Sequence, residues 1–209
     1  MSTVAGHVPV PDRSSDIVPY RVSVDQYEEM IRKGIFTKHD RLELIEGILV
    51  EKMTKGTRHS TASEKCRRVI DRLVPDGWHL RIEKPVRIPE ESSEPEPDFS
   101  VVRGEIDDYE GRNPEPADVA AIVEVSESSL AVDRTQMARI YGGSGIPVYW
   151  IINLIDRQLE VYSNPAVGGY PPPTIFHESE SVTLTLGDQQ IGPIAVADLL
   201  PRTEQLSRG

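Results

Sequence analysis

The chain is poor in cysteine: Cys66 is the single thiol among its 209 residues. One cysteine excludes an internal disulfide and leaves no thiolate cluster for zinc, so we expect Cys66 to be a reduced intracellular thiol on a helix. No apolar run approaches the roughly 20 residues that span a bilayer. The N-terminus also lacks the basic and apolar regions of a secretory signal. These absences predict a cytoplasmic protein with no membrane partner.

Positive charge is also scarce. The sequence has 23 Lys and Arg against 34 Asp and Glu, a formal net charge of −11. Because nucleic-acid binding by overall charge requires a basic surface, the chain as a whole is expected to repel DNA. One segment is locally basic, and it is interpreted either as a solvated helix face or as a phosphate contact. Its basic residues are Lys52, Lys55, Arg58, Lys65, Arg67, Arg68 and Arg72.

The hydropathy pattern divides the chain into three parts. Residues 1–20 contain several prolines and no periodicity, which predicts a flexible N-terminal arm. Residues 21–165 are expected to form the core domain, and residues 166–209 to add C-terminal strands and a tail packed on it. A capping box at Ser23 and Gln26 predicts the first helix of the core.

The remaining elements follow from periodicity. Alternation predicts a hairpin over residues 41–53, and helices are predicted over 57–73 and 131–141, the second ended by Gly142 and Gly143. Other apolar runs predict strands at residues 78–89, 98–102, 119–125, 148–153, 158–163, 174–177, 181–186 and 190–194. This order of elements indicates an α/β fold with a mixed central β-sheet flanked by helices.

Two acidic residues stand in apolar surroundings. Glu124 lies within the run of residues 119–125, whose length favours a central strand buried on both faces. Asp98 follows Pro97 at the start of a short apolar strand. A carboxylate in such a place is costly unless a cation pairs with it. Two such acids can share a divalent ion, since Mg²⁺ uses one or two protein carboxylates; alternatively, each acid pairs with an arginine or caps a loop.

The order of short motifs around these acids resembles that of a known family. The motifs are Pro97-Asp98, Ile122-Val123-Glu124-Val125-Ser126, Asp133-Arg134, Tyr141, Gly145-Ile146-Pro147 and Tyr149-Trp150-Ile151-Ile152, preceded by Glu43-Leu44-Ile45-Glu46-Gly47 and His59. Over most of its length the chain resembles the Uma-type restriction endonuclease family, a branch of the PD-(D/E)XK nuclease superfamily. A lone Pro-Asp pair would carry no weight, but the combined order is specific.

The resemblance implies a restriction-endonuclease-like core with a metal site at one edge of the sheet. Asp98 and Glu124 match the two motif acids and are expected to hold Mg²⁺ or Mn²⁺, which polarises a phosphate and activates water. Glu43 is either a further metal ligand or an ion-pair partner of Arg41 or of a basic helix residue. His59 is expected either near the site or as a helix-end group. DNA is the implied substrate and a homodimer the implied assembly.

Two departures from the pattern concern positive charge. The superfamily pattern places a lysine where this chain has Ser126, and many family members carry one where this chain has Met137. Methionine cannot stabilise a phosphate by charge. Arg134 is expected to supply charge near Met137, although a guanidinium is too basic to act as a general base, and Arg139 is expected to project to the other side. Asp133, in the first turn of its helix, is interpreted as a capping residue or as a participant in catalysis.

Three hypotheses remain open. The first is a metal-dependent endonuclease that hydrolyses phosphodiester bonds. The second is a catalytically degraded family member that acts as a binding or assembly module, which Met137 and the acidic charge favour. The third is a non-nuclease regulatory protein in which Glu124 pairs with an arginine. For the first, the candidate catalytic residues are Asp98, Glu124, Ser126 and Arg134, and the candidate metal ligands are Asp98, Glu124 and Glu43.

Overall fold

Six strands between residues 78 and 177 form one sheet. A computed structural model describes residues 18–37 and 39–202. The strand order of the central sheet is β3-β4-β5-β6-β7-β8. These strands are β3 (Trp78–Ile82), β4 (Phe99–Arg103), β5 (Val119–Ser126), β6 (Val148–Asn153), β7 (Gln158–Ser163) and β8 (Thr174–His177). Only β5 and β6 pair in parallel, so the sheet is mixed, as predicted.

The parallel pair is joined by a helical crossover, as parallel neighbours require. This crossover is one continuous helical segment in which a π-helical stretch, Asp133–Met137, separates two short α-helices. The α-helices of the described chain are α1 (Val24–Arg32), α2 (Thr57–Asp71), α3 (Leu130–Val132), α4 (Ala138–Gly143) and α5 (Val196–Leu199). The predicted capping box begins α1: the Ser23 hydroxyl accepts from the Gln26 N–H at 3.2 Å, and the Ser23 N–H donates to the Gln26 side chain at 3.0 Å.

Two hairpins lie outside the central sheet. The predicted first hairpin consists of β1 (Leu42–Ile45) and β2 (Ile48–Glu51), and the second of β9 (Ser181–Leu186) and β10 (Gln189–Ala195). The turn between β1 and β2 needs a positive φ at both Glu46 and Gly47, which is the backbone of a tight hairpin turn. This turn fixes the direction of β1, the strand that carries Glu43.

The two faces of the sheet bury different layers. One face packs against α2 and the β9–β10 hairpin, through Ala62, Cys66, Ile70, Val123, Trp150, Val182 and Leu184. The other face packs against the helical segment from α3 to α4, through Ile122, Tyr149, Ile151, Met137, Ile140 and Tyr141. Each fully buried apolar side chain of this size contributes about 1.5–3 kcal/mol to folding. Cys66 is therefore a buried core thiol on a helix.

Several predicted boundaries differ from the structure, and two of the differences involve particular backbone positions. Strand β3 ends at Ile82 rather than continuing to Pro89, because Glu83 adopts a left-handed φ of 49°. The crossover helix continues through Gly142 and Gly143 instead of ending before them. A Cβ at Gly142 would lie 2.8 Å from the backbone of Tyr170, so glycine serves close packing there.

Several expectations stay predictions. The first 17 residues of the expected arm and the last seven of the expected tail lie outside the described residues. The division of the chain into an arm, a core domain and a C-terminal part is therefore a prediction still. Within the described ranges, no helix is both long and apolar enough to cross a membrane.

Candidate active site

Strand pairing brings Asp98 and Glu124 together. Phe99 of β4 pairs with Val123 of the antiparallel strand β5. Asp98, the residue before Phe99, therefore lies opposite Glu124, the residue after Val123. The backbone N–H of Asp98 donates to Glu124 Oε2 at 3.0 Å. Both acids line a cleft of about 920 Å³, which Glu43 also lines. The three acids expected to bind metal therefore share one cleft.

Asp98 is held by three donors. Lys55 Nζ lies 2.5 Å from Oδ1, while His59 Nε2 lies 3.1 Å and the Val125 N–H donor 2.7 Å from Oδ2. Because an ionised carboxylate only accepts, Nε2 of His59 donates here. Burial opposes ionisation of Asp98, but the hydrogen bond from His59 and the charge of Lys55 outweigh it, and the pKa of Asp98 falls below its ordinary value. Asp98 is thus a fixed, ionised carboxylate.

Glu124 has the opposite electrostatic setting. Its Oε1 accepts from the Tyr141 hydroxyl at 3.2 Å, and its Oε2 accepts from the Asp98 N–H. Removal of the carboxyl group from water raises the pKa of Glu124 well above its ordinary value, and the charges of Asp98 and Asp133 raise it further. Within the described chain its partners do not include a guanidinium, so the arginine pairing of the third hypothesis is not what the structure shows. A cation beside both acids would reverse this penalty.

Glu43 reaches the cleft from β1. Its Oε2 accepts from the backbone N–H of Glu96 at 3.1 Å. Burial raises the pKa of Glu43, while the Glu96 N–H and the charge of Lys52 oppose that rise. Glu43 therefore adds a third partly shielded carboxyl to the same cleft, and Arg41 is not its partner in the described contacts.

The two positions that lack lysine are built differently. Ser126 is fully buried, and its hydroxyl donates to Asp133 Oδ2 at 2.6 Å. Met137 is buried, with 7% of its surface exposed, and it lines the cleft. Asp133 and Met137 delimit the π-helical stretch, a distortion that is frequent at functional sites. The carboxylate of Asp133 accepts from Ser126 at the end of β5, and burial raises its pKa against the hydrogen bonds of Ser126 and Ser129.

The structure does not bring Arg134 into the cleft. Its guanidinium binds Glu160 of β7 through two hydrogen bonds, of 2.9 and 2.6 Å, and reaches Asp156 at 3.4 Å. The guanidinium offsets the cost of burying the charged Glu160 carboxylate. The expectation that Arg134 supplies charge near Met137 therefore fails on geometry. Arg139 pairs with Glu46 at 2.7 Å, on the other side as expected.

Several cations of the locally basic segment contact other groups of the protein. Lys52 pairs with Glu96, and Arg58 pairs with Glu127 at 2.6 Å. Lys65 donates to the carbonyl oxygen of Ala197 at 3.1 Å. Lys52 and Arg58 are thus paired with acids and Lys65 with a carbonyl oxygen, so these three cations already have partners within the protein.

Comparison with known proteins now decides the family. The model of the Uma2 family, described as "Putative restriction endonuclease", matches residues 24–197. The chain belongs to this family. A solved structure from Anabaena variabilis ATCC 29413, described as "a putative nuclease belonging to DUF820", is similar to it with a TM-score of 0.64 and 17% identity, over 85% of this chain and 97% of that chain. At this identity the likeness shows the fold alone. No curated protein matches the chain.

The donor set of this Uma2 protein fits one divalent cation. No group of three or more His, Cys, Asp or Glu side chains is placed to hold a metal in the part of the chain that is described. Mg²⁺ needs only one or two protein carboxylates, however, and completes its shell with water and substrate oxygens. Asp98 and Glu124 supply that number, and a cation beside them would favour the ionised form of Glu124, whose pKa burial and the charge of Asp98 raise. Glu43 lines the same cleft, and its role as a further ligand stays a prediction.

The sequence reasoning missed Lys55. Lys55 contacts Asp98 from the segment that links β2 to α2, and His59 contacts it from the first turn of α2; both lie more than 35 residues from Asp98 along the chain. The resemblance named His59 without a partner, and Lys55 appeared only as one of seven basic residues. Lys55 lies before Gly56, the N-cap of α2, so helical spacing does not relate it to His59, and no local pattern pairs either residue with Asp98.

Proposed function

We propose that this Uma2 protein is a divalent-metal-dependent nuclease that hydrolyses phosphodiester bonds, with DNA as its substrate. The observation that carries the proposal is the pair formed by Asp98 and Glu124 at the strand ends of an open cleft, one ionised and one with a raised pKa. Family membership and the nuclease-like fold support a nuclease-like function.

The protein's own residues prepare the site. The Asp98 N–H and the Tyr141 hydroxyl fix both oxygens of Glu124. His59 and the Val125 N–H fix one oxygen of Asp98, which leaves the other toward Lys55. Asp98 and Glu124 are the residues that would hold Mg²⁺ or Mn²⁺. When bound, the ion supplies polarisation of the phosphate and a water of lowered pKa.

The test is cleavage of single- and double-stranded DNA by the purified protein in Mg²⁺ or Mn²⁺. We expect cleavage that stops on chelation and falls at least about 100-fold in Asp98→Asn. Asp156→Asn is the matched control, because Asp156 is a partly exposed acid outside the cleft. Absence of cleavage across both metals, or full activity in Asp98→Asn, would contradict the proposal.

A catalytically degraded binding or assembly module is the second candidate. The apolar Met137 in the cleft and the pairing of Lys52 and Arg58 with acids favour it. Substitution Met137→Lys separates the candidates: cleavage that is present only in this variant would show that the native site is disarmed. A homodimer and a cytoplasmic location stay predictions, and size-exclusion chromatography with light scattering tests the first.

A further inference from the structure

The cleft needs a positive charge that neither expected position provides. Ser126 is buried and donates its hydroxyl to Asp133, and Met137 presents an apolar side chain. Phosphodiester hydrolysis increases negative charge on the phosphoryl oxygens, and a fixed donor or cation facing those oxygens stabilises the transition state. A site with three acids and no such cation would instead repel the substrate.

Lys55 is placed where that charge is needed. Its Nζ lies 2.5 Å from Asp98 Oδ1 and 2.6 Å from Glu83 Oε1, and its side chain is 36% exposed at the cleft. An ammonium has three N–H donors, so these two described contacts leave a third donor for a ligand oxygen. Lys55 is therefore both anchored to a motif acid and accessible.

The neighbouring cations do not offer the same arrangement. Arg58 binds Glu127 and the Leu154 carbonyl, at 2.6 and 3.0 Å. Lys52 pairs with Glu96. Among the Lys and Arg side chains of the described residues, the one that contacts a motif acid is Lys55.

We propose that Lys55 is the catalytic lysine of this site, supplied by the segment between β2 and α2. This inference rests on the proposed hydrolysis. Lys55 donates an N–H to a non-bridging oxygen of the scissile phosphate. The water oxygen forms a bond to phosphorus, the bond to the leaving sugar oxygen breaks, and the proton that water loses is balanced by one that the leaving oxygen takes up. Lys55 keeps its own protons throughout.

The test compares wild type with Lys55→Met and with the double variant Lys55→Met/Met137→Lys. Single-turnover DNA cleavage in Mn²⁺ should be at least about 100-fold slower in Lys55→Met. The double variant should recover at least about tenfold, because residue 137 lines the same cleft. Lys33→Met is the control, since Lys33 pairs with Glu29 on α1, and it should cleave like wild type.

Mn²⁺ affinity, measured by titration calorimetry, gives a readout independent of turnover. Lys55→Met should bind Mn²⁺ at least as tightly as wild type, because loss of an ammonium removes repulsion of the ion. A cleavage rate within about threefold of wild type would overturn the inference and leave the proposed function standing. Slow cleavage together with lost Mn²⁺ affinity would also overturn it, since Lys55 would then only hold Asp98 in place. No cleavage by wild type overturns the proposed function and this inference with it.

Discussion

Glu124 and Glu160 lie in the same row of the sheet, two strands apart, with Ile151 between them. Glu160 receives two hydrogen bonds from Arg134 and one from Asn153, which outweigh its burial and lower its pKa. Glu124 receives one from a hydroxyl and one from a backbone N–H, and its pKa rises.

This difference concerns the partners of the two acids. Glu160 pairs with the guanidinium of Arg134. Among the described residues, the hydrogen-bond donors to Glu124, which lines the cleft, are a hydroxyl and a backbone N–H. A buried acid with its own arginine needs no ligand. An acid whose neighbours are other acids would be stabilised in its ionised form by a bound cation. For this reason we infer function at Glu124 rather than at Glu160.

The largest effect is expected at Glu124. Glu124→Gln should lower metal-dependent cleavage at least about 100-fold. The raised pKa means that the folded protein binds a proton there which the unfolded chain releases, so Glu124 costs stability as the pH rises above the ordinary carboxyl range. Glu124→Gln should therefore melt at or above the wild-type temperature at pH 8. Glu160→Gln is the matched control and should melt lower; a reversed pattern would contradict the comparison.

Loss of the arginine partner should act on stability alone. Arg134→Met leaves the buried Glu160 carboxylate without its bidentate cation. We expect a loss of about 2–3 kcal/mol in the free energy of unfolding, below the roughly 3–5 kcal/mol of a fully buried pair because the guanidinium is partly exposed. Urea denaturation measures it. If cleavage per folded molecule fell as much as in Glu124→Gln, Arg134 would belong to the site after all.

Glu94 extends the comparison to a third buried acid. Its Oε1 accepts from Asn113 at 2.8 Å, while Oε2 is buried without a partner in the described chain. Burial first, and then the charge of Glu28, raise the pKa of Glu94 to about 7. Between the ordinary value of 4.5 and about 7 the folded protein binds more protons than the unfolded chain, so stability falls as the pH rises through this window.

Substitution Glu94→Gln mimics the protonated acid. It should stabilise the protein by about 2 kcal/mol at pH 8 and by little at pH 4.5. Thermal melts of both proteins across this range measure the difference. A gain that is equal at both pH values would show that Glu94 does not titrate in this window.

The smallest effect is expected at Ser126. Ser126→Ala removes the buried hydrogen bond to Asp133, so unfolding should become easier by about 1–2 kcal/mol. Cleavage should stay near the wild-type rate, because Ser126 lies behind the cleft rather than in it. A loss of activity comparable to that of Asp98→Asn would return Ser126 to the catalytic residues.

Local patterns accounted for most of the fold. The capping box at Ser23, the alternation of the first hairpin and the apolar run of β5 each report an element that is determined over a few residues. Asp98, Glu124 and Glu43, which the motif order singled out, line one cleft, and their role as metal ligands stays a prediction. These acids could be found because an acid within an apolar strand is unusual in itself.

The partners of the charged residues could not be predicted in the same way. Arg134 and Glu160 are 26 residues apart, and Lys55 and Asp98 are 43 apart, so neither pair follows from a local period. The π-helical stretch rotates the residues around Arg134 relative to a regular helix, which a period of 3.6 does not reveal. Pairing across a fold depends on the arrangement of strands, which one sequence does not specify.

Mn²⁺ titration calorimetry tests the central claim most directly. Wild type and Arg134→Met should each bind one ion, while Asp98→Asn and Glu124→Gln should each weaken that binding at least about tenfold, because each removes one of the two charged ligands. Binding that is unchanged in Glu124→Gln, or that is lost in Arg134→Met, would contradict the assignment of the metal site to Asp98 and Glu124.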